Sequence, residues 1–392
     1  MIAISCVHCG QRMKITDDEG SKKATCPRCG QVSVVAGTRP GKRGRSGVLT
    51  AADEQTVLLS LAPVPAPRGP DTAPAPGVAT GSVPPLHELP TRYEGPEVER
   101  GLTDFLSPGV LPGEIGRLGP YRILDVVGAG GMGVVFKAED PRLRRLVALK
   151  AMLPALAANP TARERFLREA QAAAAIQHDH VVAVYQVDEA NNVPYLAMPF
   201  LRGESLEARL RQAGGPLPLA EVLRIAAQIG EGLAAVHELG LIHRDIKPAN
   251  IFLETQPGEP AGGGRVKILD FGLARAASGD AQLTQEGHIV GTAAYMAPEQ
   301  AGRQTLDARA DLFSLGCVLY LMATGSLPFE GADALSTLFA VATADPVPPH
   351  TRNPALPGAV SELILSLLEK KPADRPGSAR AVVAALRRLA RA

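Results

Sequence analysis

The sequence has almost no net charge. Its 41 basic and 40 acidic residues leave +1 at neutral pH, so no global field directs the chain to nucleic acid or to an anionic membrane. Cysteine is scarce and unevenly placed: four of the five fall between residues 6 and 29. That crowding argues against the disulfide framework of a secreted domain and for a metal site. Long apolar runs are missing too. The longest, Leu312 to Leu327, is short for a membrane span and contains Ser314, Gly316, Thr324 and Gly325, so it reads as a buried helix. The opening residues, Met1-Ile2-Ala3-Ile4-Ser5-Cys6, lack the basic region and apolar stretch of a secretion signal. These absences set the expectation of a cytoplasmic chain without a membrane span.

The clustered cysteines form two C-x-x-C pairs, Cys6-Val7-His8-Cys9-Gly10 and Cys26-Pro27-Arg28-Cys29-Gly30. Four thiolates, Cys6, Cys9, Cys26 and Cys29, suit tetrahedral Zn²⁺. Each glycine permits the tight turn that aims backbone N–H groups at the sulfurs. A redox-active dithiol set is the alternative. His8 reads as exposed, and residues 11–25 as a short hairpin. Residues 1–36 resemble a zinc ribbon whose core is so small that the metal supplies most of its folding free energy. Lys14, Lys22, Lys23 and Arg28 are interrupted by Asp17, Asp18 and Glu19, which favours protein interaction or sensing over nucleic-acid binding. Residues 37–116 turn to Pro, Ala, Gly and Thr and read as a disordered linker that cannot bury a core. Its apolar islands, Thr56 to Leu61 and Gly101 to Leu106, read as linker segments.

The stretch His243-Arg244-Asp245-Ile246-Lys247-Pro248-Ala249-Asn250 packs three roles of phosphoryl transfer into one loop. Asp245 can accept the proton of an attacking hydroxyl, Lys247 can hold the transferring phosphate, and Asn250 can ligate Mg²⁺. It resembles the catalytic loop of a protein kinase, and Lys247, two residues past the Asp, resembles the serine/threonine branch. Upstream, Val127-Gly128-Ala129-Gly130-Gly131-Met132-Gly133-Val134-Val135 reads G-x-G-x-x-G-x-V. Glycines without Cβ atoms allow a hairpin to lie over phosphates, and Val127 and Val135 would cover an adenine. This motif alone is shared with dinucleotide-binding folds. The continuation decides: strands follow, not a crossover helix, ending in Leu146-Val147-Ala148-Leu149-Lys150, which resembles the third kinase strand. Lys150, in an apolar strand, needs an anionic partner. Glu169 is the expected one, with Glu164 the alternative on the same helical segment, Ala162 to Ile176.

The resemblance continues. Val193 to Leu201 looks like the last small-lobe strand and the hinge, with Met198 at the gatekeeper position. Pro199 departs from the Glu common there but keeps the carbonyl that adenine would meet, and Leu201 would supply the N–H. Asp270-Phe271-Gly272 resembles the magnesium-binding motif, with Asp270 as ligand. The segment from there to Ala297-Pro298-Glu299 has activation-loop length, and Thr284 is the candidate phosphorylation site, paired with Arg244. Thr292 is expected to shape the substrate site near Asp245 and Lys247, and Glu286 to substitute in part for a second phosphate. Asp311 resembles the brace of the catalytic loop, Glu299 and Arg375 a buried ion pair, and Cys317 a core residue.

The fold class implied is α+β: a bilobal kinase fold over residues 117–392, with a β-rich small lobe (117–200) and a helical large lobe (201–392), preceded by the ribbon and linker. The implied function is a bacterial serine/threonine protein kinase using ATP and Mg²⁺ or Mn²⁺, with structural Zn²⁺ in the ribbon. Catalytic residues would be Asp245, Lys247, Lys150 and Glu169. Nucleotide contacts would come from Val127, Gly128, Ala129, Gly130, Gly131, Met132, Gly133, Val135, Ala148, Met198, Pro199 and Leu201. Expected partners are protein substrates including the chain itself, in a transient homodimer for trans-autophosphorylation. A pseudokinase is disfavoured because none of Lys150, Asp245, Asn250 and Asp270 is missing.

Overall fold

Four strands of alternating or β-branched residues lie in the first part of the chain and form two separate antiparallel pairs: β1 (Ile2–Ser5) with β2 (Arg12–Ile15), and β3 (Lys22–Thr25) with β4 (Val32–Val35). The computed structural model describes these strands and residues 101–130, 133–255, 264–270, 293–301 and 306–391. A hairpin within residues 11–25 is therefore corrected, because β2 and β3 pair outward. In register, Lys14 is opposite Ala3, and Lys22 and Lys23 are opposite Val35 and Val34. In sequence, each C-x-x-C pair falls between the two strands of one hairpin; the four cysteines themselves lie outside the described residues.

The described residues take up again at Gly101, inside the span expected to be linker, and for residues 101–116 that expectation is corrected. Phe105 and Leu106 pack against the small-lobe core, with the Phe105 ring 6.1 Å from Phe136. Asn191 Nδ2 donates to the Phe105 carbonyl at 2.8 Å and to Ser107 Oγ at 3.2 Å. Ser107 and Arg117 exchange backbone hydrogen bonds of 2.9 and 2.8 Å. Glu114 then closes the turn, accepting from the Val110 and Leu111 N–H groups and from Arg117 and Arg122. The segment is a strap across the sheet.

That sheet has six antiparallel strands, in the order β5 (Gly116–Leu118), β6 (Tyr121–Gly130), β7 (Gly133–Asp140), β8 (Arg145–Met152), β10 (Val193–Pro199) and β9 (Gln186–Ala190). Alternation sorts its faces. Val134, Phe136 and Ala138 of β7 and Val147, Leu149 and Ala151 of β8 join Leu118, Ile123 and Tyr195 in one core. The opposite face carries Val135, Ala148 and Met198 and packs with Phe166 and Ala170 of helix α1 (Pro160–Ala174). Asn159 starts α1, its side chain accepting from the Thr161 and Ala162 N–H groups, with Pro160 at the first helical position.

The second lobe holds α2 (Leu206–Ala213), α3 (Leu219–Glu238), α4 (Arg309–Thr324), α5 (Ala334–Thr343), α6 (Gly358–Leu367) and α7 (Ala379–Leu389), with a three-stranded sheet of β11 (Gly203–Ser205), β12 (Ile251–Glu254) and β13 (Arg265–Ile268). The apolar run from Leu312 is the middle of α4, buried on every side from Ala310 to Ala323. Among the described residues no helix is long and apolar enough to cross a membrane. Cys317 is fully buried, and that burial pushes its thiol pKa up, as a core residue's should be. Glu299 and Arg375 form a buried bidentate pair at 2.6 and 2.8 Å. Arg375 also donates to the carbonyls of Arg309, Glu369 and Lys370, which ties the approach to α4 to the approach to α7. Removing one partner of such a pair costs about 3–5 kcal/mol, because it strands the other charge. Gly203, at φ 134°, lets β11 approach β12: a Cβ there would stand 2.0 Å from the Leu253 carbonyl oxygen.

Candidate active site

The loop from Leu241 to Lys247 leaves α3 and is held from α4. Asp311, in the first turn of α4 and fully buried, accepts from the backbone N–H of His243 (2.8 Å), the N–H of Arg244 (2.7 Å) and Nε2 of His237 (2.8 Å). Two successive N–H groups on one carboxylate force a tight bend, and Arg244 takes a left-handed φ of 66°. For a residue with a Cβ this conformation is costly and persists only where the surroundings over-determine it. Gln300 adds to the constraint by donating to the Arg244 carbonyl at 3.1 Å. His243 Nε2 lies 2.9 Å from the Leu269 carbonyl, so that nitrogen carries the proton, and Nδ1 accepts from Asp245 N at 3.3 Å.

The bend delivers Asp245 into a buried position with both neighbours from its own loop. Asn250 Nδ2 donates to Asp245 Oδ2 and to the Asp245 carbonyl, each at 2.8 Å, and Lys247 Nζ is 3.0 Å from Oδ2. The short helical turn Pro248–Asn250 then feeds β12. Ile251 pairs with Ile268 across β12 and β13, and Leu269 N–H donates to the Asn250 carbonyl at 2.8 Å. The hairpin thus sets Asn250 close to Asp270.

Asp270 also has a left-handed backbone, φ 52°. Its Oδ1 takes the ammonium of Lys150 at 2.7 Å. The expected Lys150–Glu169 pair is not formed, which corrects the sequence expectation. Asp270 holds the ammonium, and the charges that act on the Glu169 carboxyl are those of Arg244, Arg168 and Arg165. Glu169 Oε2 is buried with no hydrogen-bond partner. Its carboxyl is pushed up from the ordinary 4.5 to about 7, first by burial, against the pull of Arg244, Arg168 and Arg165.

Above this centre the glycine-rich hairpin and β8 form a roof. Val135 faces Lys150 and Ala148 faces Met198 in the strand registers, so the four residues share one face. β6 carries two register shifts, between Ile123 and Asp125 and between Val126 and Gly128, and Val127 is 55% exposed. Ala129 and Gly130 pair with Val134 and Gly133. A Cβ on Gly133 would meet the Ala151 carbonyl oxygen at 2.4 Å, whereas no described heavy atom lies within 4 Å of the same point on Gly128 or Gly130. The roof therefore lies close on β8 at one end and leaves open space at the other. Pro199 ends β10, and Leu201 follows in the segment leading to β11. Gly131, Met132, Phe271, Thr284, Glu286 and Thr292 lie outside the described residues. The anchor at His237 and the contact of Lys137 with Phe200 were not read from the sequence; no local pattern marks either.

Residues 121–385 match the family model of the protein kinase domain. Among curated proteins, serine/threonine-protein kinase PknB of Mycobacterium leprae is 39% identical over 259 residues, 65% of this chain and 40% of that protein. Serine/threonine-protein kinase Pkn1 of Myxococcus xanthus is 39% identical over 262 residues, 67% of this chain and 37% of that protein. The chain thus spans about 40% of the length of the curated relatives it matches. Among solved structures, the kinase domain of Mycobacterium tuberculosis PknI superposes with a TM-score of 0.56 at 27% identity, covering 71% of this chain and 99% of that one.

The state of Glu169 has a pH signature. Because its folded pKa is raised, the folded chain keeps a proton that the unfolded chain releases above about 4.5. The associated stability is full at acid pH and lost as pH rises through about 7. Glu169→Gln, which cannot ionise, is expected to unfold at a higher temperature than wild type at pH 8 and at a similar temperature at pH 5. Equal melting differences at both pH values would contradict the buried, protonatable state.

Proposed function

The chain belongs to the protein kinase family, and on that premise we propose that it is a serine/threonine protein kinase, transferring the terminal phosphoryl group of ATP to protein Ser or Thr hydroxyls. The observation that carries this reading is the joint placement of Asp245, Lys247 and Asn250 within hydrogen-bonding distance on one braced loop. The names of the bacterial relatives, serine/threonine kinases at 39% identity, support the hydroxyl class.

The residues present fit the nucleotide and its metal. Asn250 spends its amide nitrogen on Asp245, which leaves Oδ1 as a pure acceptor, and its carbonyl takes the N–H of Leu269, the residue before Asp270. One amide oxygen and one carboxylate are the hard, sparse donor set that Mg²⁺ takes when phosphate oxygens and water complete its shell. Open space at Gly128 and Gly130 leaves room for phosphates against backbone N–H groups. Bound ATP and Mg²⁺ supply the phosphoryl group and neutralise its charge. Lys150 offers a cation to the α- and β-phosphates, with Glu169 as its counter-charge once Asp270 engages metal. The Pro199 carbonyl and the Leu201 N–H are assigned to the adenine edge, between Val127, Val135, Ala148 and Met198. Asp245 Oδ2 takes the bonds from Asn250 and Lys247, so Oδ1 is left to orient the substrate hydroxyl and receive its proton. Lys247 screens the charge that develops on the phosphoryl oxygens.

Regulation belongs to the same reading: Thr284 as a phosphate acceptor modified in trans by a second copy, ordered by Arg244, with Thr292 at the substrate site. For residues 1–36 we propose zinc held by Cys6, Cys9, Cys26 and Cys29. The support is that each cysteine pair falls, in sequence, between the strands of one hairpin, and two such connections can each present two thiolates to one tetrahedral ion.

Two experiments test these assignments. Asp245→Asn is expected to reduce phosphate transfer to a generic protein substrate by at least about a thousandfold while leaving nucleotide binding intact, with Lys150→Met comparably inactive; near-wild-type turnover in either would refute the roles given. Metal analysis of the purified chain is expected to return a single zinc per molecule, lost in Cys26→Ser, while the melting of the kinase domain is unchanged. A metal-free wild-type chain with oxidisable thiols would favour the dithiol alternative.

A further inference from the structure

The roof of the cleft carries a cation at each end of one face. Lys150 pairs with Val135 across β7 and β8, and one step along the same face Lys137 pairs with Ala148, which in turn pairs with Met198 on β10. Lys137, Ala148 and Met198 thus form a row across three strands, at the end of the sheet where β10 gives way to the hinge. The chain after Met198 turns so that the Phe200 ring lies beneath the Lys137 ammonium, 5.5 Å from its centroid. The strand neighbour with opposite charge does not compete for it. Asp125 faces Lys137 across β6 and β7, but its carboxylate accepts the Val126 N–H at 2.9 Å, and Lys137 makes no ion pair with any described residue.

Building on the kinase reading, we infer that Lys137 is a positioning residue for the nucleotide: its cation–π contact pins Phe200, and with it the hinge carbonyl of Pro199 and the N–H of Leu201, under the glycine-rich roof. The physical reason is the hinge's position. Pro199 has no N–H to donate, and the hinge is the sole described connection from β10 to the large lobe. A ring held from β7 ties that connection to the strand covering the nucleotide, so roof and hinge keep one spacing. A cation over a half-exposed ring is worth a few-fold in an equilibrium constant. The expected effect is therefore modest and confined to nucleotide affinity.

The test uses the full chain and two readouts: titration with a fluorescent ADP analogue, and initial rates on a generic protein substrate at varied ATP. Lys137→Met keeps the aliphatic stem and removes the charge. It is expected to weaken analogue binding and raise KM for ATP by about three- to fivefold, with the change falling on KM and not on kcat. Lys137→Arg and Phe200→Tyr, which keep the cation and the ring, should bind like wild type. Phe200→Leu should match Lys137→Met, and the double substitution should be no weaker than either single one. Unaltered binding in Lys137→Met, no recovery in Lys137→Arg, or additive single effects would each overturn the inference while leaving the kinase reading in place. Should Lys137→Met not fold, the comparison of Phe200→Leu with Phe200→Tyr carries the same decision. A folded wild-type chain that neither binds the analogue nor transfers phosphate would remove the kinase reading, and this inference with it.

Discussion

One buried carboxylate, Asp311, receives two consecutive backbone N–H groups from His243 and Arg244 and a third hydrogen bond from His237. The geometry of the candidate centre depends on that convergence. Asp311 sits in the first turn of α4, where unsatisfied N–H groups and the helix dipole favour negative charge, and α4 is packed on every side and cannot shift easily. A rigid core helix thereby imposes a left-handed turn on an otherwise unfavourable residue, Arg244. The turn places Asp245 where Asn250 and Lys247 meet it. The Glu299–Arg375 pair anchors the segments flanking α4, so core packing, loop strain and candidate chemistry form one mechanical chain.

A second constraint concerns one ammonium and two acids. Lys150 comes from the sheet, Asp270 from the end of the β13 hairpin and Glu169 from α1, and of these two acids Asp270 is the one within ion-pair distance of Lys150. Glu169 is left in a buried site that favours its neutral form. In the proposed reaction Asp270 must turn to metal, which frees Lys150 and gives Glu169 a reason to ionise. Glu169, held towards its neutral form, is therefore not left charged and alone while Asp270 keeps the ammonium, a state that a low-dielectric cleft would penalise.

Much of this was legible in the sequence because the informative residues are close along the chain or chemically unusual where they stand. Asp245, Lys247 and Asn250 share one loop; Lys150 is a charge in an apolar strand; Asp311, Glu299 and Arg375 are charges beside buried helices; and the apolar run from Leu312 shows a buried helix directly. What was missed depends on long-range choice. The partner of Lys150 comes from a segment far from it in sequence, Asp270 after β13. The strap at Phe105 and Leu106 is hidden by the prolines around it, since its order comes from Phe136 and Asn191, not from local propensity. The pairing of β1 with β2 and of β3 with β4 is a choice between segments that single-strand patterns do not display. Phe200 reads as an ordinary hinge apolar residue until the register of β7 brings Lys137 over it.

The central claim is that this geometry performs phosphoryl transfer to aliphatic hydroxyls. The most direct measurement is mass-spectrometric mapping of the full chain incubated with ATP and Mg²⁺ together with a Lys150→Met copy distinguishable by mass. The account predicts phosphoserine and phosphothreonine on the inactive copy, Thr284 among them, and no phosphotyrosine. An unmodified inactive copy and an unmodified generic protein substrate, from a folded wild-type chain, or phosphate confined to tyrosine, would contradict it.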